Sequence, residues 1–230
     1  MAQHRNRLLA ALSSADLALL EPALEPVALE RRFVLETPNK SVENIYFMES
    51  GVASVVAVNG RGERIEVGLI GCEGMSGVTV VMGNHRSPHS TYMQIAGEAR
   101  VISAAALRKS LAKSASLQTL LLHFAQVVMT QCAQTAVANG RAKLDERLAR
   151  WILMAHDRMT DDDVPLTHEF LGVMLGVRRA SVTVALDGFK KRDLINARRG
   201  GITVLNRKAM EKIASSFYGV PEAEYRRLIG

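Results

Sequence analysis

Residues 167–186, THEFLGVMLGVRRASVTVAL, constrain the fold of this chain more than any other stretch. Leu171, Leu175, Val177, Val182 and Ala185 recur at spacings that put them between two short helices. Gly172 is small enough for the second helix to approach the first, and Gly176 falls where a left-handed turn residue costs least. Thr167 can cap the first helix through its hydroxyl, with Glu169 near the positive end of the dipole. The pattern reads as a helix-turn-helix, which lays its second helix in the major groove of DNA. Directly after the turn come Arg178, Arg179, Ser181 and Thr183. Guanidinium groups pair with guanine edges or phosphates, and hydroxyls with phosphates. Lys190, Lys191 and Arg192 then close the helix. Leu194-Ile195, the turn Asn196–Gly201 and Ile202–Leu205 spell strand, turn, strand. That is the wing of a winged helix, with Arg198 and Arg199 at its tip. The expected interface therefore has Arg178 and Arg179 on base edges, and Ser181, Thr183, Lys190, Arg198 and Arg199 on the backbone.

Charge agrees with that placement. Residues 141–230 carry 17 Lys+Arg against 12 Asp+Glu, whereas residues 1–140 carry 12 against 11. A basic C-terminal part beside a near-neutral remainder expects a polyanion at one end only. Cys72 and Cys132 are the two cysteines. Neither has a neighbour at metal-ligand spacing, so no metal site or resident cofactor is expected. Met1–Arg7 is polar and Leu8–Leu12 is too short for a leader. No apolar run reaches the roughly 18–20 residues a membrane span needs. A cytoplasmic location with reduced thiols and no membrane partner is the expectation. No nucleophile elbow, zinc-ligand pair or phosphate-binding loop occurs, so no catalytic residue is assigned and an enzyme is not expected.

The remainder divides by periodicity. Asn6–Leu20 reads as helix, restarting at Ser13 and ending at Pro22 and Pro26. From Val27 to about Ser103 short strands alternate with turns: Phe33–Leu35, Asn44–Phe47, Val52–Val58, Arg64–Leu69, Tyr92–Ala96 and Arg100–Ile102. Asn59-Gly60 reads as a hairpin tip. Many short strands with close turns imply a sandwich or barrel. Ala104–Asn139 then reads as helix, apolar nearly all round. Such a helix needs cover on more than one side. One side suits the β-domain; the other suits the same helix of a second copy, through Leu117, Leu121, Phe124 and Val128. Two-fold pairing would also set two recognition helices side by side, as a palindromic operator in double-stranded DNA requires. Asn139-Gly140 reads as a break and hinge, and Leu144–Met159 as an amphipathic helix. The expected units are 1–140, holding the β-domain and the helix at about 104–139, and 141–230, the winged helix.

This order, and LGVRRASVTVAL in particular, resembles the bacterial transcription regulators related to the cyclic-AMP receptor protein and to the oxygen sensor of fumarate and nitrate respiration. The resemblance implies an α+β fold: an N-terminal cyclic-nucleotide-binding-like β-roll of jelly-roll type, a long dimerisation helix and a C-terminal winged helix-turn-helix. Arg179 falls at the family's base-reading arginine and Ser181 at a phosphate-contact hydroxyl. Ala180 stands where the family often has an acid, and Val184 where a later basic contact falls; both offer apolar contacts, such as to a thymine methyl. IYFMESGVASVVAV and GCEGMSG resemble the β-roll. In its nucleotide-binding members a Gly-Glu pair holds the ribose and an Arg-Ser or Arg-Thr pair the phosphate. Here Gly77 is followed by Val78, with Arg86-Ser87 beyond. Valine cannot accept the ribose hydrogen bond, and a buried unpaired hydroxyl costs ~1–3 kcal/mol. Gly77, Val78, Arg86 and Ser87 are thus the expected pocket of an unknown small-molecule effector other than cyclic AMP bound in the usual way. The resemblance further implies a homodimer, with RNA polymerase as a partner if the protein activates. Two alternatives stay open. One is an effector-binding module whose winged helix contacts protein; the other is a haem-dependent gas sensor using His85, His89 or Cys72.

Overall fold

The computed structural model describes residues 4–198 and 200–230. Its first part contains β1 (Glu25–Leu29), β2 (Val34–Glu36), β3 (Asn44–Met48), β4 (Val52–Val58), β5 (Arg64–Ile70), β6 (Ser90–Ile95) and β7 (Gly97–Ser103). These form two antiparallel sheets, β1-β7-β3 and β2-β6-β4-β5. The two-residue period of β3 serves both layers. Tyr46 and Met48 face the inter-sheet core with Leu29, Val55 and Met93, while Ile45 and Phe47 pack beneath the helices. β1 contains Pro26, which was read as a helix terminator. It lies on a sheet edge opposite Arg100, where a missing N–H is tolerated.

The expected first helix is two, α1 (Arg7–Ala10) and α2 (Ser14–Leu20). Ser13 restarts it, its hydroxyl accepting from Asp16 N at 3.1 Å. Asn6 ties α1 to the sheets: its Nδ2 donates to the Met48 and Gly74 carbonyls at 2.8 Å each. α3 (Val78–Val81) and α4 (Ala104–Leu111) precede the long α5 (Ala115–Arg141). Ser114 caps α5 by accepting from Leu117 N. The break expected at Asn139-Gly140 falls two residues later: α5 runs through both residues and ends at Arg141, Ala142 and Lys143 are extended, and the next helix starts at Leu144.

After α5 come α6 (Leu144–His156), β8 (Asp163–Val164), α7 (His168–Leu175), α8 (Arg179–Lys190), β9 (Ile195–Arg198), β10 (Gly201–Val204), α9 (Arg207–Ala214) and α10 (Val220–Leu228). β8, β10 and β9 make the small winged sheet. One apolar cluster runs from Val52, Val56 and Leu69 of the large sheet through α6 into Leu171, Val182 and Leu186, so the winged helix is packed against the roll. At that joint the Glu66 carboxylate on β5 accepts from Ser54 Oγ at 2.6 Å and from Trp151 Nε1.

α5 has three faces. Leu117, Leu121 and Phe124 are buried against the roll, and Val128 is half-buried beside them. These four therefore face their own protomer, correcting the expectation that they pair helices between copies. A second face carries α10, with His123 Nδ1 3.2 Å from the Leu228 carbonyl. The third is exposed: Thr119, Leu122, Gln126, Met129, Ala133, Ala136 and Gly140. These positions alternate in steps of three and four, the period of a coiled-coil seam. Met129 is 57% and Leu122 40% exposed, and the seam carries no charge.

Candidate nucleic-acid interface

The corner between α7 and α8 is built locally. Thr167 Oγ1 accepts from Phe170 N at 3.2 Å, capping α7. Gly176 adopts φ +63° and turns the chain. A Cβ on Gly172 would stand 3.0 Å from the Val177 carbonyl, so a side chain there would crowd the turn. Leu171, Leu175, Val182 and Ala185 are buried, and Val177 is half-buried, as the spacing predicts. Arg147, whose role the sequence did not suggest, donates from Nη2 to the Leu175 carbonyl and satisfies a C-terminal acceptor of α7.

This corner presents Arg178 and Arg179 to solvent at the N-terminus of α8. Among the described residues no side chain caps that end, so its first N–H groups and its dipole are available to a phosphate. Ala180 and Val184 lie one turn apart on the same helix, and Val184 is 72% exposed. Ser181 is half-buried in the first turn and Lys190 is exposed in the last. An open cleft separates the start of α8 from the β4–β5 hairpin, with Arg64 and Gly62 opposite Arg178 and Arg179. Arg64, a strand residue in the sequence pattern, thus contributes a further guanidinium there.

Two expected contacts are used internally. Thr183 Oγ1 donates to the Arg179 carbonyl at 3.1 Å and lies 3.0 Å from His168 Nδ1. Its proton is therefore not free for a phosphate; the residue joins α8 to α7. Arg198 Nη2 is bonded to Asp163 Oδ2, whose other oxygen takes the Thr203 hydroxyl. Arg198 thus braces the wing against β8. Arg199 lies outside the described residues. The hairpin itself is shorter than expected, with Arg198 paired to Gly201.

The expected effector residues meet through the segment at Ser41 and Val42: Ser41 bridges to Arg86, Val42 N donates to the His85 carbonyl at 2.8 Å, and a Cβ on Gly77 would lie 3.5 Å from Val42 Cγ1. A Cβ on Gly77 would fall 2.1 Å from Ile45 Cδ1, so that side chain fills the adjoining space. Gly77 N donates to the buried Glu36 carboxylate at 2.9 Å, and Val78 begins α3. Arg86 is exposed, and Ser87 Oγ donates to the His89 carbonyl at 3.2 Å. Ile45 thus stands against Gly77 on the side where a Cβ would project. His85 is exposed, and Cys72 and Cys132 are half-buried free thiols. Burial pushes both thiols up, away from the thiolate form that reacts or ligates.

A winged helix with outward arginines at the start of its second helix is thus joined by a long helix to a β-roll. Residues 146–213 match the Crp-like helix-turn-helix domain. They are a domain of that family, set on the fold of the Crp/Fnr transcriptional regulators. A Crp/Fnr-family regulator from Eubacterium rectale is similar over 91% of this chain and 98% of its own, at 18% identity and a TM-score of 0.69. FixK2 from Bradyrhizobium japonicum covers 84% of this chain and 98% of its own, at 14% identity and a TM-score of 0.69. A CRP-family regulator from Thermus thermophilus gives 84% and 97%, at 17% identity and a TM-score of 0.67. No curated protein matches by sequence. The Eubacterium and Thermus proteins are described as transcriptional regulators. Among the described residues no helix is long and apolar enough to cross a membrane.

Proposed function

We propose that the chain is a homodimeric, sequence-specific DNA-binding regulator working in the cytoplasm. Residues 141–230 read a two-fold operator, and residues 1–140 supply the pairing helix and the regulatory surface. The carrying observation is the pair of exposed guanidinium groups, Arg178 and Arg179, fixed at the open end of α8 by a glycine corner. Arg179 contacts a base edge, Ala180 and Val184 offer apolar contact to thymine methyls, and Ser181 and Lys190 hold the backbone. The uncharged seam on α5 supports pairing and sets the separation of the two recognition helices. RNA polymerase is a further partner if the protein activates.

Arg179→Ala is expected to lose ~1–3 kcal/mol of operator binding and to relax preference at one base pair per half-site. Mobility shifts on an operator enriched from random fragments check this. Equal affinity and equal selectivity would remove Arg179 from the base-reading set. A regulator whose winged helix binds protein would enrich no DNA sequence at all.

A further inference from the structure

A second cavity lies away from both the recognition helix and Gly77. It is about 280 Å³, near the lower end of small-molecule pockets. α1, β5, α5, the end of α6, α9 and α10 all meet there. Its apolar wall is Phe124 and Val127 of α5, with Pro221 of α10. Two of its four arginines are committed: Arg158 to Glu73 at 2.7 Å and Arg207 to Asp157 at 2.6 Å. Arg7 and Arg226 are exposed at the rim, with no side-chain partner among the described residues.

Two polar atoms in this wall are buried without a partner among the described residues, the Tyr225 hydroxyl and Glu222 Oε2. Tyr225 is only 8% exposed. A buried polar group left unpaired costs ~1–3 kcal/mol, and of the six such side-chain atoms among the described residues these two share one cavity wall. One of these is a donor and the other an acceptor. The same cavity is lined by the apolar Phe124, Val127 and Pro221. We infer that this junction binds a small zwitterion with an apolar body, of the α-amino-acid class. Its carboxylate takes the Tyr225 hydroxyl proton as a hydrogen bond and sits beside Arg7 and Arg226. Its ammonium donates to Glu222, and its side chain lies on Phe124 and Val127. Such a ligand touches α5 and the helices of the winged part at once. Any consequence for operator spacing rests on the proposed function; binding itself does not, and is measured without DNA.

The test is calorimetric titration of the full chain with L-phenylalanine and L-leucine, set beside 3-phenylpropionate and 2-phenylethylamine, which each keep one charged end. The amino acids should bind, with both one-ended analogues weaker by about tenfold or more. Glu222→Gln and Tyr225→Phe should each weaken amino-acid binding by a similar factor. Methyl resonances of Val127 should shift on titration of the unmodified protein, a readout independent of how the variants fold. No heat and no Val127 shift at millimolar amino acid would overturn the inference. So would one-ended analogues binding as well as the amino acids, or full affinity in both variants.

Discussion

Ala133→Glu on α5 should turn the proposed dimer into monomers and cut affinity for a two-half-site operator by about 10²–10⁴-fold, the gain that linking two binding modules supplies. Ala133 is exposed in the protomer, flanked on the seam by Met129 and Ala136. The substitution therefore leaves the protomer's own core intact. Across a two-fold axis it brings two carboxylates together in an apolar contact, and each loses several kcal/mol of hydration. The small residues Ala133, Ala136 and Gly140 would let two helices of the proposed dimer approach closely at their C-terminal ends. Sedimentation equilibrium reports the mass and circular dichroism the fold. An unchanged dimer with unchanged operator affinity would place the pairing surface elsewhere.

The second large effect concerns the joint between the roll and the winged helix. Trp151→Ala should cost ~3–5 kcal/mol of stability, because a large buried side chain is lost and a cavity left. Trp151 is nearly fully buried, packs edge-to-face on Phe170 with centroids 5.7 Å apart, and donates its indole N–H to Glu66. Burial pushes the Glu66 carboxyl up to about 7, against hydrogen bonds from Ser54 and Trp151 that pull it down. The folded chain thus binds a proton that the unfolded chain has released. That contribution is complete below the ordinary value of 4.5 and disappears as pH rises through about 7. Its full size is on the order of 3 kcal/mol at ~1.4 kcal/mol per unit. The thermal midpoint should fall between pH 5 and pH 8 (about the range bracketing this titration), and Glu66→Gln should flatten that slope. A slope unaltered in Glu66→Gln would assign the pH dependence to other groups.

The elements most legible in the sequence were those specified by neighbours along the chain. Thr167, Gly172 and Gly176 act within a few residues of themselves, so the helix-turn-helix and its cap are where the spacing puts them. Six of the seven strands of the roll follow from alternation and turn residues, but β7 starts three residues before the expected Arg100 and β1, which contains Pro26, was not expected. What failed was the identity of distant partners. An all-round apolar helix announces that it is covered, yet Leu117 and Leu122 look alike until the roll and α10 have chosen their faces. Gly140 lies in the last turn of α5, and the helix ends one residue beyond it, so the glycine marked the end of the helix to within two residues. Arg198 meets Asp163 across 35 residues and Trp151 meets Glu66 across 85, so neither pairing leaves a local signal. Thr183 looked like a phosphate ligand because its type and position fit. Its proton goes instead to the helix's own carbonyl, a habit of threonine inside helices.

In vitro selection of DNA from a random pool, with the stoichiometry of the selected complex measured by sedimentation, addresses the function most directly. The expected outcome is an inverted repeat whose half-sites are centred about one helical turn apart, bound by two chains, with selectivity relaxed at one position per half-site in Arg179→Ala. Enrichment of no sequence, or of a single half-site held by one chain with Arg179→Ala indistinguishable from the unmodified protein, would contradict it.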